Sequence, residues 1–318
     1  MNIKYVIIVL GEPFSIFSEI IGKYFKKRKI KKKIIIIGNY KLLDNQLKKL
    51  NYNLKLRKIS LINEAINNTL NVIDVEFKYE KIFDKISSKS NNYINSCFEI
   101  SLNLLKNNKD AILINGPISK KTFFKKKFLG VTEFLSYKTR SKNEVMLIYN
   151  SKFSVSPLTT HIPIKSVSRK VNKNKIINNV IKINNFYKNI LNKKAKFAVM
   201  GLNPHCETSD NYSEEEKIIT PAIKSLKKKK IFIDGPFSAD TFFLKKNLNK
   251  YNITIGMYHD QVLIPIKTLF NFEAINITLG LPFIRISPDH GPNSNMLGKN
   301  KSDPNSFIYA MKFIEKLK

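Results

Sequence analysis

The chain has 318 residues, 43% of them hydrophobic, and a formal net charge of +32 at pH 7. That apolar content builds a substantial core and excludes a disordered chain; the length suits one large domain or two closely associated ones. The charge invites a nucleic-acid reading, but arginine occurs only at Arg28, Arg57, Arg140, Arg169 and Arg285. Bidentate recognition of phosphates and bases favours arginine over lysine. Lysine spread along the whole chain together with Ile and Asn reads as compositional, so no nucleic-acid partner is expected. Cys97 and Cys206 are too few for a disulfide framework, which fits a reducing, cytoplasmic setting.

In chain order, the first apolar run is "KYVIIVL" (4–10). It is too short for a membrane span and lacks the flanks of a signal peptide. The basic run "KKRKIKKK" (26–33) then leads as a solvated connection into "KIIIIG" (33–38), and further strand-like runs follow at "AILING" (111–116) and "EVMLIYN" (144–150). Ile176, Val180, Ile183, Tyr187 and Ile190, at three- and four-residue spacing, predict a helix. Beyond it come "KFAVMGLN" (196–203), "KIFIDG" (230–235), "NITIGMYHD" (252–260), "AINITLG" (274–280) and "FIRISPD" (283–289). Continuous β-branched runs separated by helix-length segments suit strands buried on both faces, and so an α/β fold with a mostly parallel or mixed sheet. No flexible linker interrupts the chain. One local echo stands out: "NGPISKKTFF" (115–124) and "DGPFSADTFF" (234–243) share a Gly-Pro turn and a serine suited to cap a helix. They read as two corners meeting the same geometric demand and as two helix N-termini facing one anion site. The two readings are compatible, because ligands in α/β folds gather at the carboxyl ends of strands.

Neither Gly-x-Gly-x-x-Gly nor a Walker A sequence is present, so any nucleotide must be held in another way. The four histidines, His161, His205, His259 and His290, all fall at predicted strand ends or turns. Each alone suits a hydrogen-bonded structural role. Delivered from several strands to one place, imidazoles form an open catalytic metal site. Their wide separation in sequence excludes a local zinc knuckle.

The ordered set "GVTEFL" (130–135), "TTHIP" (159–163), "GLNPHCE" (201–207), "DGPFSAD" (234–240), "MYHDQVLIPIK" (257–267) and "INITLGLPFIRISPDHG" (275–291) resembles the 4-hydroxythreonine-4-phosphate dehydrogenase family of vitamin B6 biosynthesis. The likeness extends from "GEP" (11–13) to "GKN" (298–300) and is strongest over 111–291. It implies a two-lobed α/β fold like the isocitrate and isopropylmalate dehydrogenases, with an active-site cleft between lobes. The expected lobes are residues 1–125 with 275–318, and residues 126–274, the latter carrying a homodimer interface. The resemblance implies metal ligands His161, His205 and His259, the last supplied across the dimer, with Asp260 a candidate partner of His259. It implies a divalent ion (Zn²⁺, Mg²⁺ or Co²⁺) and NAD, or NADP, as cofactors.

The implied substrate is small and phosphorylated, held in an active site shared by two subunits. Thr132, Lys267, Asn276 and Arg285 take the substrate-contacting places. Lys267 and Asp240 are the catalytic candidates, and His290, Gly291 and Asn295 the cofactor-binding ones. An arginine inside the apolar run "FIRIS" needs an anionic partner on its own account. The implied reaction is NAD-dependent oxidation of 4-phosphohydroxy-L-threonine followed by decarboxylation to 3-amino-2-oxopropyl phosphate. Three departures stand against the family pattern: Val131 where a histidine is usual, a bulkier turn in "GEPFSIFSEI", and Asn295 where aspartate is common. Val131 keeps a related activity on threonate or erythronate 4-phosphate in view. A nucleic-acid-binding protein on the same fold is a more distant reading.

Overall fold

The computed structural model describes residues 3–28, 30–125, 127–208, 212–271 and 273–317. Its strands are β1 (Tyr5–Val9), β2 (Lys33–Gly38), β3 (Leu56–Ile59), β4 (Leu70–Asp74), β5 (Ala111–Asn115) and β6 (Val145–Tyr149). They continue as β7 (Ser154–Pro157), β8 (Phe197–Met200), β9 (Ile233–Phe237), β10 (Ile253–Gly256), β11 (Ile275–Leu279) and β12 (Ile284–Ser287). With the helices between them, these make the expected α/β architecture. No helix among the described residues is long and apolar enough to cross a membrane.

The chain divides into two compact units, Met1–Arg140 with Leu281–Lys318, and Ser141–Gly280. The sequence expectation put the junctions at 125/126 and 274/275; position 126 lies outside the described residues. Packing explains the difference. Phe134 and Leu135, on the helix Val131–Lys138, are buried in the core of the first unit, and the Phe134 ring meets Phe98 at 5.3 Å and Phe124 at 5.7 Å. In the other direction, β11 pairs antiparallel with β6 and so belongs to the second unit.

The first unit orders its strands β3-β4-β2-β1-β5-β12, every neighbour parallel. β1 and β5 are buried at every residue, as strands covered on both faces must be. The helix Asn91–Asn107 presents Tyr93, Ile94, Cys97, Phe98, Ser101 and Leu105 to the core, the three- and four-residue spacing of one helical face. In the second unit the order is β11-β6-β7-β10-β8-β9. There β6 is antiparallel to both neighbours, while β7, β10, β8 and β9 run parallel. The helix Lys173–Asn189 buries Ile176, Val180, Ile183 and Tyr187 as predicted, and Ile190 falls just past its end. Asn172 starts it, its side chain accepting from Lys175 N at 2.9 Å.

The echoed segments fold less regularly than their serines suggest. Residues 120–124 form one short π-type turn and Ala239–Phe242 a four-residue helix, and neither Ser119 nor Ser238 caps through its side chain. Ser238 instead donates to Asp240 Oδ1 at 2.5 Å.

The turn after β1 carries a buried acid. Gly11 has φ +73°, and a Cβ there would stand 2.5 Å from Pro117 O, so only glycine fits. Glu12 N donates to the same oxygen at 2.9 Å, and the Glu12 residue is 1% exposed. Burial pushes its carboxyl from 4.5 up to about 7, against the hydrogen bond from Ser90 Oγ at 3.3 Å. The folded chain therefore holds this proton more tightly than the unfolded one. The associated stability is fully present below pH 4.5 and is lost as pH rises through 7. Glu12→Gln should match wild type in urea melts near pH 4.5 and exceed it at pH 8 by about 3 kcal/mol. An equal difference at both pH values would dismiss this account of Glu12.

Candidate functional site

Four neighbouring parallel strands of the second unit deliver the polar residues singled out in the sequence. Past the C-terminal end of β7 lies His161, past β10 His259, past β8 His205 and past β9 Asp240. In α/β sheets this is the edge where ligands gather. His259 is not a strand-end residue as its apolar context suggested; it opens the helix His259–Phe270. His161 sits in an exposed turn, His205 in the three-residue turn Pro204–Cys206, and Asp240 in the short helix Ala239–Phe242.

The rings of His161 and His259 are neighbours, with centroids 5.9 Å apart and planes tilted by 41°. His259 Nδ1 lies 2.6 Å from Asp260 Oδ1, an arrangement that orients the ring and leaves Nε2 for a ligand. His205 Nδ1 lies 3.7 Å from Asp240 Oδ2. The Ser238 hydroxyl, and then the nearby His205, hold the Asp240 carboxyl below the usual carboxylate range. Among the described residues, no three His, Cys, Asp or Glu side chains form a group that could hold a metal ion. The structure thus brings His161 to His259 and His205 to Asp240, and does not close the three histidines into one set.

Residues that sequence reasoning passed over fix these loops. Gln261 Oε1 accepts from Met257 N at 2.7 Å, and its Nε2 donates to Gly201 O at 2.7 Å, tying the start of the His259 helix to the His205 loop. Thr159 Oγ1 donates to Met257 O at 2.8 Å, fastening the His161 turn to the same strand end. Glu215, 3% exposed, accepts from Leu202 N (2.7 Å) and Asn203 N (2.9 Å) through Oε1. Through Oε2 it accepts from Asn203 Nδ2 (2.9 Å) and Ser213 Oγ (3.1 Å). Glu214 adds Asn203 Nδ2 at 3.0 Å and Ser168 Oγ at 2.5 Å. These bonds keep both carboxyls below their ordinary range although burial pushes the other way. A visible signal existed: "SEEEK" (213–217) is a run of three acids in a chain with 24 acidic against 56 basic residues.

The loop they hold is strained. His205 (φ +54°) and Cys206 (φ +63°) both occupy the left-handed region, at a cost of roughly 1–2 kcal/mol each for non-glycine residues.

In the first unit, Arg285 on β12 is 3% exposed. Its Nε donates to Asn115 Oδ1 and a terminal nitrogen to Thr132 Oγ1, both at 2.8 Å. Burial pushes the guanidinium down to about 10, partly offset by the Glu133 charge, so it stays cationic at neutral pH. Asn115, the polar end of an apolar strand, had no role in the sequence reading. Val131 is half-buried against the core of this unit.

His290 is half-buried, with Nε2 shielded and without a hydrogen-bond partner. Desolvation lowers its pKa, opposed by Asp289 and Asp303. Gly291 and Asn295 are exposed, Asn295 in the turn Ser294–Met296. In the second unit, Asn276 Oδ1 on β11 is buried without a partner, and Lys267 is exposed eight positions after His259 on its helix, about 12 Å along the axis.

Comparison with known proteins gives a consistent picture. Residues 29–314 match the family model described as pyridoxal phosphate biosynthetic protein PdxA. A 4-hydroxythreonine-4-phosphate dehydrogenase of a Sulfurihydrogenibium species is 37% identical over 98% of this chain and 97% of its own. A D-threonate 4-phosphate dehydrogenase of Salmonella typhimurium is 28% identical over the full length of both. Among solved structures, a 4-hydroxythreonine-4-phosphate dehydrogenase from Klebsiella pneumoniae superposes with TM-score 0.85 at 25% identity, covering 98% of this chain and 99% of that one.

Proposed function

The chain belongs to the pyridoxal phosphate biosynthetic protein PdxA family and is a dehydrogenase; from that premise we propose that it oxidises 4-phosphohydroxy-L-threonine with NAD and decarboxylates the product to 3-amino-2-oxopropyl phosphate. The observation that carries the reading is the sheet edge at which adjacent parallel strands present His161, His205 and His259. Among the described residues of one chain the three do not close into a set, and a second copy docked on the same edge supplies His259 to the His161 and His205 of its partner. Three imidazoles suit Zn²⁺ or Co²⁺ better than the oxygen-seeking Mg²⁺, and they leave coordination positions open. The donor chemistry therefore fits the ion, with the third imidazole coming from the second subunit because the described residues of one chain do not close the set. When bound, a divalent ion supplies Lewis acidity for the alcohol oxidation and the decarboxylation, and the nicotinamide supplies the hydride acceptor.

The remaining roles fall to side chains. Arg285, held by Asn115 and Thr132, presents a fixed cation to a substrate anion, and Thr132 is assigned a share in that contact. The orphaned Asn276 Oδ1 accepts a hydrogen bond from a substrate N–H or O–H. Lys267 supplies a further cation, and Asp240, an anion beside His205, is assigned a place at the reacting end of the substrate. His290, Gly291 and Asn295 are assigned to the cofactor, the shielded His290 Nε2 being the group in want of a partner.

We assign a homodimer with a shared active site, His259 being supplied across the interface. Ile264 (64% exposed) and Leu269 (44%) lie on the His259 helix, and Ile164 (71%) follows His161 closely. These apolar side chains suit burial in an assembly.

The second reading, oxidation of threonate 4-phosphate, draws on Val131 and on the Salmonella relative. Steady-state assays with both substrates separate the two. The amino acid phosphate should show the higher kcat/KM by at least about tenfold, on the order of one lost polar contact. The opposite preference by the same factor would replace the first reading with the second.

A further inference from the structure

We infer that Glu215 is a positioning residue for metal capture: its carboxylate holds the loop that carries His205 in the backbone geometry needed for that imidazole to bind the ion. This rests on the metal reading proposed above. The carboxylate is nearly inaccessible, yet no Lys or Arg pairs with it in any hydrogen bond described here. Its partners are instead the two consecutive amides of Leu202 and Asn203, the Asn203 side chain and the Ser213 hydroxyl. Three of those four bonds end on the two residues just before Pro204 and His205.

The other end of the loop explains why such an anchor is needed. His205 and Cys206 both carry positive φ without being glycine, so the turn would relax to ordinary backbone angles if it were released. Gly201 starts the segment, and a Cβ there would stand 2.6 Å from Cys206 Sγ, so the loop folds tightly back on its own origin. Gln261 clamps Gly201 O to the first turn of the His259 helix. The loop is thus fixed at Gly201 by Gln261 and at residues 202–203 by Glu215, and the strained pair is what remains to be aimed. The direct contact to the His205 ring is the exposed Asp240, which orients the imidazole but cannot set the backbone. Groups that orient metal ligands in this indirect way typically change metal affinity by about 10–100-fold when altered.

The test uses the full-length, metal-stripped protein and Co²⁺ as probe, with affinity read from the visible absorption of the bound ion. Four proteins are compared: wild type, Glu215→Gln, His205→Ala and the double variant. Gln keeps an oxygen for the two amides but turns an NH₂ toward the donors of Asn203 and Ser213, so the loop is perturbed without being emptied. Circular dichroism melts verify that each variant is folded. The expected result is a Co²⁺ affinity about 10–100-fold weaker in Glu215→Gln, with the double variant no weaker than His205→Ala alone, because Glu215 acts through His205. Wild-type affinity in Glu215→Gln overturns the inference, as does a full additional loss on top of His205→Ala. Should Glu215→Gln not fold, Asn203→Ala, which removes one of the same bonds, takes its place in the cycle. If wild type binds no Co²⁺, or His205→Ala binds it like wild type, the metal reading itself fails and this inference falls with it.

Discussion

Replacing His259 with alanine should remove the bound divalent ion and lower turnover by three orders of magnitude or more, since Lewis acid assistance supplies several kcal/mol and about 1.4 kcal/mol is tenfold in rate. The loss should come without unfolding. His259 is a partly exposed first residue of its helix, and its one described polar contact is the neighbouring Asp260. Metal content and kcat measured on the same sample check both halves, and an active, metal-replete variant would remove His259 from the ligand set. The shared site adds a second, sharper expectation. His205→Ala and His259→Ala are each inactive as homodimers, but exchange between them yields dimers in which one of the two sites has all its histidines. An equimolar mixture should recover about a quarter of wild-type activity, from half the dimers being mixed and half their sites intact. Recovery of none would mean that each chain builds its own site.

The elements that sequence periodicity revealed were those whose burial is purely apolar. β1, β2 and β5 are nearly unbroken β-branched runs, and Lys173–Asn189 repeats its apolar face over four turns. Three strands escaped notice because polar residues interrupt their apolar pattern, at buried positions in two of them and at exposed ones in the third. Asn71 in β4 is fully buried, its side chain donating to Ile34 O, Ile66 O and Thr69 O and accepting from Ile66 N. In β7, Ser154 and Ser156 are buried with their hydroxyls bound to Asn150 O and Met146 O. β3 reads Leu-Arg-Lys-Ile because it is the edge strand, with its charges in solvent. A polar side chain that satisfies itself inside the fold leaves no trace in an apolar pattern.

The site divides along the same line. Imidazoles at strand ends can be read from short motifs, since the motif is the strand end itself. The groups that aim them cannot, because Glu215 reaches back across a loop to Leu202 and Asn203, and Gln261 reaches from one strand end to another. Those pairings exist only after the sheet has placed β8 beside β10. Asn115 is likewise a neighbour of Arg285 only because β5 and β12 are parallel partners.

Arg285 carries the second large expectation, and two substitutions separate its binding role from any structural one. Its guanidinium is buried and donates to Asn115 and Thr132, with burial opposing its charge. Removing the cation alone leaves the buried Asn115 Oδ1 without its donor and the Glu133 charge without its counter-charge, so the substitution has a structural cost of its own. Arg285→Met should therefore melt several degrees below the wild-type temperature and still be folded at assay temperature. Its kcat/KM should nevertheless fall by roughly 30- to 5,000-fold, the 2–5 kcal/mol typical of removing one partner of a buried charged pair, here the anionic group of the substrate. Arg285→Lys keeps the charge but cannot hold Asn115 and Thr132 at once while facing an anion, so it should regain only part of the loss. The deficit should appear mainly in KM, and inhibition by inorganic phosphate should weaken in parallel. A variant that melts far below wild type while its residual folded fraction retains wild-type KM would assign Arg285 to the fold instead, and the substrate's anion would then have to be sought at Lys267.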